Sequence, residues 1–577
     1  MVVCHWRVEP GPVGGQNPVM LVILDDGPRR VFCDPLEVIR ADTAAQVPAA
    51  LARVEAVLAQ GRHVAGWLAY ELGHALEPRL AMQQAPGPLL QLGVFGAPVG
   101  DAPPARGRAY AGPLRLEWDE AAYGRRFSRV KDYIAAGDIY QANLSFRARF
   151  AFLGTPYALY EELRVQSGAA HCAFVEDGAC AILSLSPELF FDLSADADIT
   201  VRPMKGTAPR GGDDQGERAA LAASPKDRAE NLMIVDLIRN DLSRIAQKGS
   251  VEVRDLFRVE TYPTLHTMVS TVTARKRDDA GIADLLRALF PCGSVTGAPK
   301  IRAMEILREL ETSPRQAYCG AVGFFAPDGS ARFNVAIRTL TIGRDEGELG
   351  IGGGVVQDSR APSEYAECLL KAQFFESARR PLELIETLRC DGGFSRLAAH
   401  LARMEQSARV FGLSFDAGAA KAALERAVSG RAGALRVRLT LNEQGVHHAT
   451  AQDLPPTPHH WTYAISPERT DSHDLLLRHK TNWREHYEKE VRRLGADEVV
   501  FVNERGEVTE GARSNIFVRR DGVLFTPPLE AGLLDGRLRA ELVAQGAVRE
   551  AVLMPDDLAG EVYLGNSLRG LIRAKAV

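Results

Sequence analysis

Lys205 lies in a short segment whose composition could hold an amine in a fixed position. Pro203 and Pro209 flank it, and Gly206 and Thr207 follow it directly. Proline fixes φ and restricts the residue before it, so the segment is expected to form a rigid turn rather than a helix. A lysine that is held and partly withdrawn from water can act as a nucleophile. A surface loop with a solvated lysine is the more usual reading of such residues taken alone.

Two further segments carry acidic pairs at helical spacing. Asp227 and Glu230 are three residues apart, as are Glu364 and Glu367, so each pair lies on one face of a predicted helix. Two helices that present carboxylates could hold Mg²⁺, which keeps several waters and accepts a substrate oxygen. The alternative is two solvated helix faces, with Glu367 and Lys371 forming an ordinary i, i+4 ion pair.

Two glycine-containing segments could bind an anion through backbone N–H groups. Gly352, Gly353 and Gly354 are consecutive, which lets the backbone approach a carboxylate closely. Residues 291–300 form a Gly/Ser/Thr/Pro loop that opens onto a predicted helix, whose N-terminus suits an anion. This loop is not a P-loop, because the order GxxxxGK[ST] is absent. Glycine runs are more often plain turns.

Lys480 lies among Arg478, His479 and Arg484 in the last third of the chain. Positive neighbours are expected to lower the pKa of its amine, which suits Schiff-base formation with a carbonyl compound. An exposed basic helix is the local alternative.

Length and composition limit the class of protein. A chain of 577 residues exceeds a single core, so two large units are expected. A net charge of −5 argues against nucleic acid as a partner. No apolar run approaches the roughly 20 residues that span a bilayer, and Met1–Pro10 lacks a secretory signal. The eight cysteines contain no CxxC pair, which is typical of reduced thiols. These features predict a cytoplasmic protein without membrane partners.

Several elements that would position these residues follow from the hydrophobic pattern. Helices are predicted over about 225–246 and from Pro299 to about 311. The run 317–341 is typical of a hairpin with Asp328-Gly329 at its turn. A second unit begins near Pro381 without a Pro-rich linker.

The first unit resembles the chorismate-utilising enzymes, which include anthranilate synthase component I, aminodeoxychorismate synthase component I, and the isochorismate and salicylate synthases. The motifs that carry the resemblance occur in order and are Ser186-Pro187-Glu188, Lys205-Gly206-Thr207, Glu230-Asn231-Leu232-Met233, Arg239-Asn240-Asp241-Leu242, Gly297-Ala298-Pro299-Lys300, Tyr318-Cys319-Gly320, Ala336-Ile337-Arg338-Thr339 and Gly352-Gly353-Gly354. The resemblance implies an α+β domain over 1–378, with two mainly antiparallel sheets packed as a sandwich and flanked by helices.

Lys205 indicates the branch of this family, because the anthranilate enzymes typically have Ala at this position and the aminodeoxychorismate synthases have Lys. The resemblance then implies that Lys205 attacks C2 of chorismate as the C4 hydroxyl leaves, after which ammonia enters at C4 and expels the lysine. Glu188 would be the general acid, and Glu230 and Glu367 would hold Mg²⁺ against the ring carboxylate. Isochorismate synthases place a general-base Lys near the position of Gln141, so addition of water is disfavoured here.

The same resemblance implies the groups that bind the substrate. Arg338 and Tyr318 would hold the enolpyruvyl carboxylate with N–H groups of Gly353 and Gly354. The expected set is Gly206, Thr207, His266, Tyr318, Arg338, Gly352, Gly353, Gly354 and Lys371. His266 could instead be a hydrogen-bonded core residue. Because no glutaminase Cys–His set occurs, ammonia is expected from a separate glutamine amidotransferase subunit or from free ammonium.

The second unit, 381–577, resembles the class IV pyridoxal-phosphate enzymes, which include branched-chain and D-amino acid aminotransferases and aminodeoxychorismate lyases. The motifs lie in residues 477–487, 499–503, 506–511, 514–517 and 533–539. The resemblance implies a two-subdomain α/β fold with pyridoxal 5′-phosphate in the cleft.

The expected cofactor contacts in this unit are Arg403, Lys480, Tyr487, Glu510, Gly536 and Ser567. Lys480 would bind the cofactor covalently and move the proton, and Glu510 would keep the pyridine nitrogen protonated. Arg403 and N–H groups after Gly536 would bind the phosphate. The family often has Gly-Ile-Thr-Arg where this chain has Gly536-Arg537-Leu538-Arg539, and Ser567 could replace the missing Thr hydroxyl.

Together the two resemblances predict synthesis of 4-aminobenzoate, a folate precursor. The first unit would convert chorismate and ammonia into 4-amino-4-deoxychorismate, and the second would eliminate pyruvate. Fusion of the two units favours a lyase over an aminotransferase. A true class IV aminotransferase in the second unit is the main alternative, and a regulatory protein that binds chorismate without turnover is another. A homodimer through the second unit is a further expectation.

Overall fold

The computed structural model describes residues 19–80, 87–261 and 265–577. The expectation about Met1–Pro10 therefore lies outside the described residues. Among the described residues, none of the helices combines the length and apolar character that a membrane crossing requires.

The chain divides into two compact units. The first comprises Met1–Pro104, Leu114–Arg149 and Tyr160–Ala378, and the second comprises Ala105–Pro113, Phe150–Leu159 and Arg379–Val577. Two short stretches of the N-terminal part thus belong to the second unit, although its main part begins at Arg379.

The first part of the chain alternates strands and helices. Its strands are β1 (Leu21–Asp25), β2 (Arg30–Phe32), β3 (Glu37–Ala41), β4 (His63–Leu68), β5 (Leu90–Phe95), β6 (Ala109–Ala111), β7 (Arg115–Leu116), β8 (Gln141–Gly154), β9 (His171–Glu176), β10 (Ala181–Ser186), β11 (Leu189–Leu193), β12 (Asp198–Val201), β13 (Met204–Pro209), β14 (Glu252–Thr261), β15 (Leu265–Arg275), β16 (Gly297–Ala298), β17 (Ala321–Phe325), β18 (Ala331–Val335), β19 (Thr339–Ile342) and β20 (Glu346–Val355). Its helices are α1 (Val47–Leu58), α2 (Leu72–Leu76), α3 (Glu120–Ala135), α4 (Pro156–Ser167), α5 (Asp214–Ala223), α6 (Pro225–Ser243), α7 (Ile282–Leu289), α8 (Lys300–Leu310) and α9 (Ala361–Glu376).

Two large antiparallel sheets form the first unit. One has the order β16-β8-β20-β19-β10-β9-β1-β2, and the other has the order β13-β15-β12-β11-β18-β17-β4-β5-β3. Buried aliphatic and aromatic residues of α1, α6 and α7 pack with those of the second sheet. The predicted two-sheet α+β architecture is confirmed.

Local sequence signals explain several of these elements. The predicted helix over 225–246 is α6, which begins where the Ser224 side chain accepts a hydrogen bond from the backbone N–H of Asp227 and Pro225 occupies the first turn. The predicted hairpin is β17–β18, with Gly329 at φ +87° in the turn.

The segment around Lys205 differs from its prediction. Residues Met204–Pro209 form the edge strand β13, which pairs with β15 and shifts register between Met204 and Thr207. Gly206 adopts φ +85° within this irregularity, a conformation that favours glycine. The expected rigid turn is therefore a bulged strand, because hydrogen bonds to β15 satisfy the backbone of this segment.

The second unit consists of two subdomains, as predicted. Its elements after residue 378 are β21 (Glu383–Cys390), α10 (Leu397–Val410), α11 (Ala417–Val428), β22 (Leu435–Asn442), β23 (His447–Asp453), β24 (His460–Thr470), α12 (Glu485–Leu494), β25 (Glu498–Asn503), β26 (Val508–Gly511), β27 (Asn515–Arg520), β28 (Val523–Thr526), α13 (Arg537–Ala544), β29 (Val548–Glu550), β30 (Glu561–Asn566) and β31 (Gly570–Ala576). One sheet is β21-β22-β23, and the other is β26-β25-β24-β31-β30-β27-β28-β29. The second sheet is mixed, since β24 runs parallel to both β25 and β31.

The cysteines depart from the expectation at one position. Cys33 is disulfide-bonded, whereas Cys172, Cys180, Cys292, Cys319, Cys368 and Cys390 are free thiols. The prediction of reduced thiols therefore fails at Cys33.

Candidate functional sites

The amine of Lys205 lies among polar groups brought together by four separate elements. Its Nζ is 4.0 Å from Oε2 of Glu230 on α6. A methyl group on Gly354 in β20 would lie 3.0 Å from that Nζ and 2.9 Å from Nε2 of Gln141 at the start of β8. The Lys205 side chain is 18% exposed. The amine therefore faces a polar site rather than bulk solvent.

Glu188 follows β10 and is buried beside this lysine. Burial raises the pKa of its carboxyl to about 7, although the Ser294 hydroxyl and the Lys205 ammonium act in the opposite direction. Its Oε1 has no hydrogen-bond partner among the described residues. A carboxyl with such a pKa is protonated in part of the molecules at neutral pH and can donate a proton.

The carboxylates of α6 and α9 face one another across the site. Burial raises the pKa of Glu230, and the negative charges of Asp227 and Glu364 add to this rise, while Lys205 and Lys226 oppose it. Burial would also raise the pKa of Glu367, but the ammonium groups of Lys371, Lys205 and Lys226 lower it overall.

Two pairings in this group bear on the metal prediction. Lys371 lies 2.9 Å from Glu367, which is the i, i+4 ion pair considered above. Glu364 is only 6% exposed, and its negative charge adds to the rise in the pKa of Glu230. The described residues do not bring three of these acids within 4.8 Å of one another.

The glycines of β20 line the same site. A methyl group on Gly353 would lie 3.7 Å from Oε2 of Glu364 and from Nζ of Lys371. On Gly352 it would lie 2.4 Å from the Ser145 hydroxyl, and the Gly352 carbonyl accepts a hydrogen bond from Lys371. Gly353 and Gly354 thus border the open part of the site, whereas Gly352 packs against β8.

Arg338 and Tyr318 occupy strained or crowded positions. Arg338 has φ 49°, an unfavourable value for a residue with a side chain. Burial lowers the pKa of its guanidinium, and the described part of the chain offers this side chain no hydrogen-bond or ion-pair partner. The Tyr318 ring packs directly on Gly350, where a methyl group would lie 2.1 Å from Cγ of the ring. Because its guanidinium has no partner among the described residues, Arg338 is available to an anion.

Three predicted substrate contacts are engaged elsewhere or exposed. The ring nitrogens of His266 lie 3.0 Å from the Thr261 hydroxyl and 3.0 Å from Oδ1 of Asp214, which is the hydrogen-bonded core arrangement. A methyl group on Gly206 would meet Asp227 at 2.9 Å. The Thr207 side chain is exposed on the edge strand.

Gln141 is the residue whose position is most informative beyond the predicted set. It is fully buried, and neither atom of its side-chain amide has a hydrogen-bond partner among the described residues. Buried amides are nearly always hydrogen-bonded, so this amide has capacity for a ligand beside Lys205. From the sequence, Gln141 is notable only because isochorismate synthases have a general-base lysine near this position.

The second unit contains a cavity of about 620 Å³ that includes Lys480, Arg403, Tyr487 and Glu510 in its wall. Lys480 follows a short helical turn and precedes α12, so it does not lie in the basic helix considered above. Burial lowers the pKa of its amine to about 7; Glu386 opposes this shift, and Arg403, Arg484 and Arg436 reinforce it. The predicted direction is confirmed, with burial as the main cause; of the three neighbours named from the sequence, Arg484 is among the largest contributors.

Glu510 and Tyr487 form a buried pair in this cavity. The Tyr487 hydroxyl donates to Oε1 of Glu510 at 2.5 Å, and the backbone N–H of Leu534 donates to Oε2 at 3.1 Å. Burial raises the pKa of Glu510 to about 7, while the bond from Tyr487 and the charge of Arg484 oppose the rise.

Arg403 and Ser567 belong to one hydrogen-bonded network centred on Glu386. Arg403 donates to both oxygens of Glu386, at 2.8 and 2.7 Å, and to the carbonyl of Asp535 at 2.8 Å. His400 lies 2.5 Å from Glu386 and 2.8 Å from the Ser567 hydroxyl. Despite burial, these partners hold the pKa of Glu386 well below its usual range. The sequence analysis did not identify Glu386, because no local pattern relates this strand residue to Arg403.

Gly536 lies at the N-terminus of α13, where no side chain caps the helix. A methyl group on Gly536 would lie 1.9 Å from Oδ1 of Asn515, so only glycine permits this close approach. The first N–H groups of the helix are left without intrahelical partners, an arrangement that suits an anion.

Comparisons with known proteins agree with this division. Residues 99–377 match the family model of the chorismate binding enzymes, and residues 383–577 match that of the class IV amino-transferases. The chain is 44% identical over 276 residues to aminodeoxychorismate synthase component 1 of Klebsiella aerogenes, covering 47% of this chain and 60% of that protein. It is 47% identical over 248 residues to the protein of the same name from Salmonella typhimurium, covering 42% of this chain and 54% of that protein.

A solved structure supports the fold of the first unit. Anthranilate synthase component I from Streptococcus pneumoniae aligns with a TM-score of 0.52 and 24% identity, over 65% of this chain and 94% of that chain. The chain spans little more than half the length of the two curated relatives, 60% and 54%. These matches, together with the two sites, show that the chain carries a domain of the chorismate-binding enzymes followed by a domain of the class IV aminotransferases.

Proposed function

We propose that this chain makes 4-aminobenzoate from chorismate in two steps, one in each unit. The observation that carries the proposal is the position of Lys205, whose amine is 4.0 Å from Glu230 and next to the bare backbone of Gly354. A nucleophilic amine beside acidic groups and open N–H donors suits amination of a carboxylated cyclohexadiene.

In the first step, the Lys205 amine would form a bond to C2 of chorismate while the C4–O bond breaks. Glu188 would give its proton to the departing hydroxyl, which leaves as water. Ammonia would then bond to C4 and the bond from C2 to Lys205 would break, so the lysine is regenerated. The guanidinium of Arg338, which has no partner among the described residues, and the N–H groups of Gly353 and Gly354 would hold substrate carboxylate.

Mg²⁺ fits the acidic face of this site. Glu230 and Glu367 would hold it, and Glu364, whose charge acts on Glu230, supplies a third acidic group at the same face. The cation would neutralise the ring carboxylate and favour the shift of charge through the diene.

The cavity of the second unit fits pyridoxal 5′-phosphate. Lys480 would hold the cofactor, Glu510 and Tyr487 would adjoin its ring, and Arg403, Ser567 and the N-terminus of α13 after Gly536 would hold its phosphate. When bound, the cofactor supplies an electron sink for the elimination.

In the second step, the chain's own residues would bind the new amine, exclude water and move one proton. Lys480, neutral above about pH 7, would take the proton from C4 of the ring. Loss of the enolpyruvyl group as pyruvate then leaves the aromatic 4-aminobenzoate. The buried pair of Glu510 and Tyr487 would keep the pyridine nitrogen in contact with a carboxyl group.

Ammonia would come from a separate glutamine amidotransferase subunit or from free ammonium. The relatives named component 1 support a two-component system, since that name implies a further component. A homodimer through the second unit is a further proposal, and light scattering of the purified chain tests it.

The full chain should convert chorismate, ammonium, Mg²⁺ and pyridoxal phosphate into 4-aminobenzoate and pyruvate without a keto acid, as measured by chromatography. Lys205→Ala should abolish amination and keep the second activity, and Lys480→Ala should accumulate aminodeoxychorismate. A requirement for a keto-acid acceptor would indicate an aminotransferase instead. Binding of chorismate without any turnover would overturn the proposal in favour of a regulatory protein.

A further inference from the structure

Four arginines of the second unit line one side of its cavity: Arg436 and Arg438 on β22, Arg513 before β27, and Arg569 before β31. In β22 the buried positions are Leu435, Val437, Leu439 and Leu441, so the alternation of the strand turns the exposed Arg436 and Arg438 to the same face. The strand register therefore places both side chains on the face that lines the cavity.

Among the described residues, none of the four guanidinium groups lies within 4.0 Å of a carboxylate oxygen, although the charge of Arg513 acts on Glu498. The side chain of Arg569 donates to the carbonyls of Pro455 and Pro456, at 3.2 Å. Burial lowers the pKa of Arg436, and the charges of Arg438, Arg513 and Arg569 lower it further. Like charges held together in a half-enclosed cavity repel one another unless an anion joins them.

The cluster also faces the reaction centre. Arg436 is one of the charges that lower the pKa of Lys480, which places it within electrostatic range of that amine. The phosphate contacts proposed above, Arg403, Ser567 and Gly536, belong to the separate network around Glu386 and the start of α13. The four arginines are thus left for the substrate.

We infer that Arg436, Arg438, Arg513 and Arg569 bind the two carboxylates of a dianionic substrate and select it over monocarboxylic amino acids. This inference rests on the proposed function, because aminodeoxychorismate carries one carboxylate on the ring and a second on the enolpyruvyl group. Guanidinium groups pair with carboxylates through two parallel hydrogen bonds, so four of them suit two such anions. An amino acid with one carboxylate would leave half of the cluster unpaired.

The first test measures binding of unreactive probes to the full chain loaded with pyridoxal phosphate. Isothermal titration calorimetry should show that isophthalate, a 1,3-dicarboxylate, binds about tenfold or more tightly than benzoate. Arg436→Gln and Arg438→Gln should remove this preference. Arg426→Gln, on the exposed face of α11, is the matched control and should keep it.

The second test measures turnover of added aminodeoxychorismate. Each cavity variant should raise KM by about tenfold or more while kcat changes less, because the lost contact binds the ground state and the transition state alike. The absorbance of the bound cofactor should not change. Unchanged KM and unchanged probe affinity in the variants would overturn the inference, and so would loss of the cofactor absorbance, since the cluster would then bind the cofactor phosphate.

The two tests separate this inference from the proposed function. If the wild-type chain releases no pyruvate yet prefers isophthalate through Arg436 and Arg438, the proposed reaction is wrong and the dianion site stands. If pyruvate is released and the variants behave like the wild type, the reaction stands and the dianion site is wrong.

Discussion

Burial sets the chemistry of the key side chains in both units. Glu188 and Glu510 have their pKa raised to about 7, and Lys480 has its pKa lowered to about 7, with burial as the largest cause in each case. Removing a charged group from water disfavours the charged form whether it is a carboxylate or an ammonium. The same physical effect therefore brings acids and a base to the pH at which proton transfer is efficient.

The pH dependence of amination should report Glu188. The carboxyl is protonated below its pKa of about 7 and must be protonated to act as an acid, so kcat/KM should fall as the pH rises through about 7. Glu188→Gln should lower the rate by about 10²–10⁴-fold and remove this limb of the profile. Initial rates of aminodeoxychorismate formation from pH 6 to pH 9 test it, and a limb near pH 7 that persists in the variant would contradict the assignment.

The rate at which Lys480 binds its cofactor should rise with pH, whereas kcat/KM of amination should fall. Only the neutral amine attacks a carbonyl, and the amine is neutral above its pKa of about 7. The rate of covalent loading onto the cofactor-free chain should therefore rise up to about pH 7 and then level off. Borohydride trapping followed by peptide mapping measures this rate at Lys480. A rate that still rises at about pH 9 or above would indicate an amine with an ordinary pKa.

At the scale of elements, close backbone approach builds the first site. The bulged edge strand β13 carries Lys205, and β20 passes beside it with glycines at successive positions. Helices α6 and α9 then bring their carboxylates from the other side. Because four different elements define the site, its geometry depends on the absence of side chains in β20.

Gly354→Ala tests this role of β20. The added methyl group would lie 3.0 Å from Nζ of Lys205 and 2.9 Å from Nε2 of Gln141, so both side chains must move. A displacement of this size at a reacting group should lower the rate of amination by about a hundredfold. The pyruvate-releasing activity of the same protein is the internal control and should not change.

Gly124→Ala in α3 is the matched substitution, because nothing lies within 4 Å of the added methyl group. It should leave amination unchanged. Equal amination rates in the Gly354 and Gly124 variants would show that β20 does not shape the site.

At the scale of the whole molecule, each unit has its own core and its own site. Buried clusters of the second unit, such as the one that includes Leu401, Leu424 and Val437, hold its smaller sheet against α10 and α11. The cavity that contains Lys480 is lined by residues of the second unit alone. Each activity should therefore survive a substitution in the other site.

Mixing two inactive variants tests this independence. Lys205→Ala should not aminate and Lys480→Ala should not eliminate pyruvate. Their equimolar mixture should form 4-aminobenzoate after a lag, because aminodeoxychorismate would diffuse from one molecule to the other. Chromatography with time follows both compounds. A mixture that accumulates aminodeoxychorismate without forming 4-aminobenzoate would show that the second unit of the Lys205 variant is impaired.

Resemblance to known families predicted the architecture and the roles of the two lysines, and local sequence signals predicted individual elements. Proline and glycine placement marked the segment of Lys205, helical spacing paired Glu230 and Glu367 with their neighbours, and Asp328-Gly329 marked a hairpin. These signals act between residues close in the chain, where spacing alone determines which side chains share a face.

The tertiary structure decided which polar groups are paired and which are left open. Glu386 lies 17 residues from Arg403 in the chain yet binds it, and His266 binds Asp214, 52 residues away. The side-chain amide of Gln141 is buried without a partner among the described residues. Burial and pairing depend on distant segments that meet only in the folded chain, so no local pattern could reveal them. For the same reason the lowered pKa of Lys480 was expected from its neighbours in sequence but arises mainly from its enclosure.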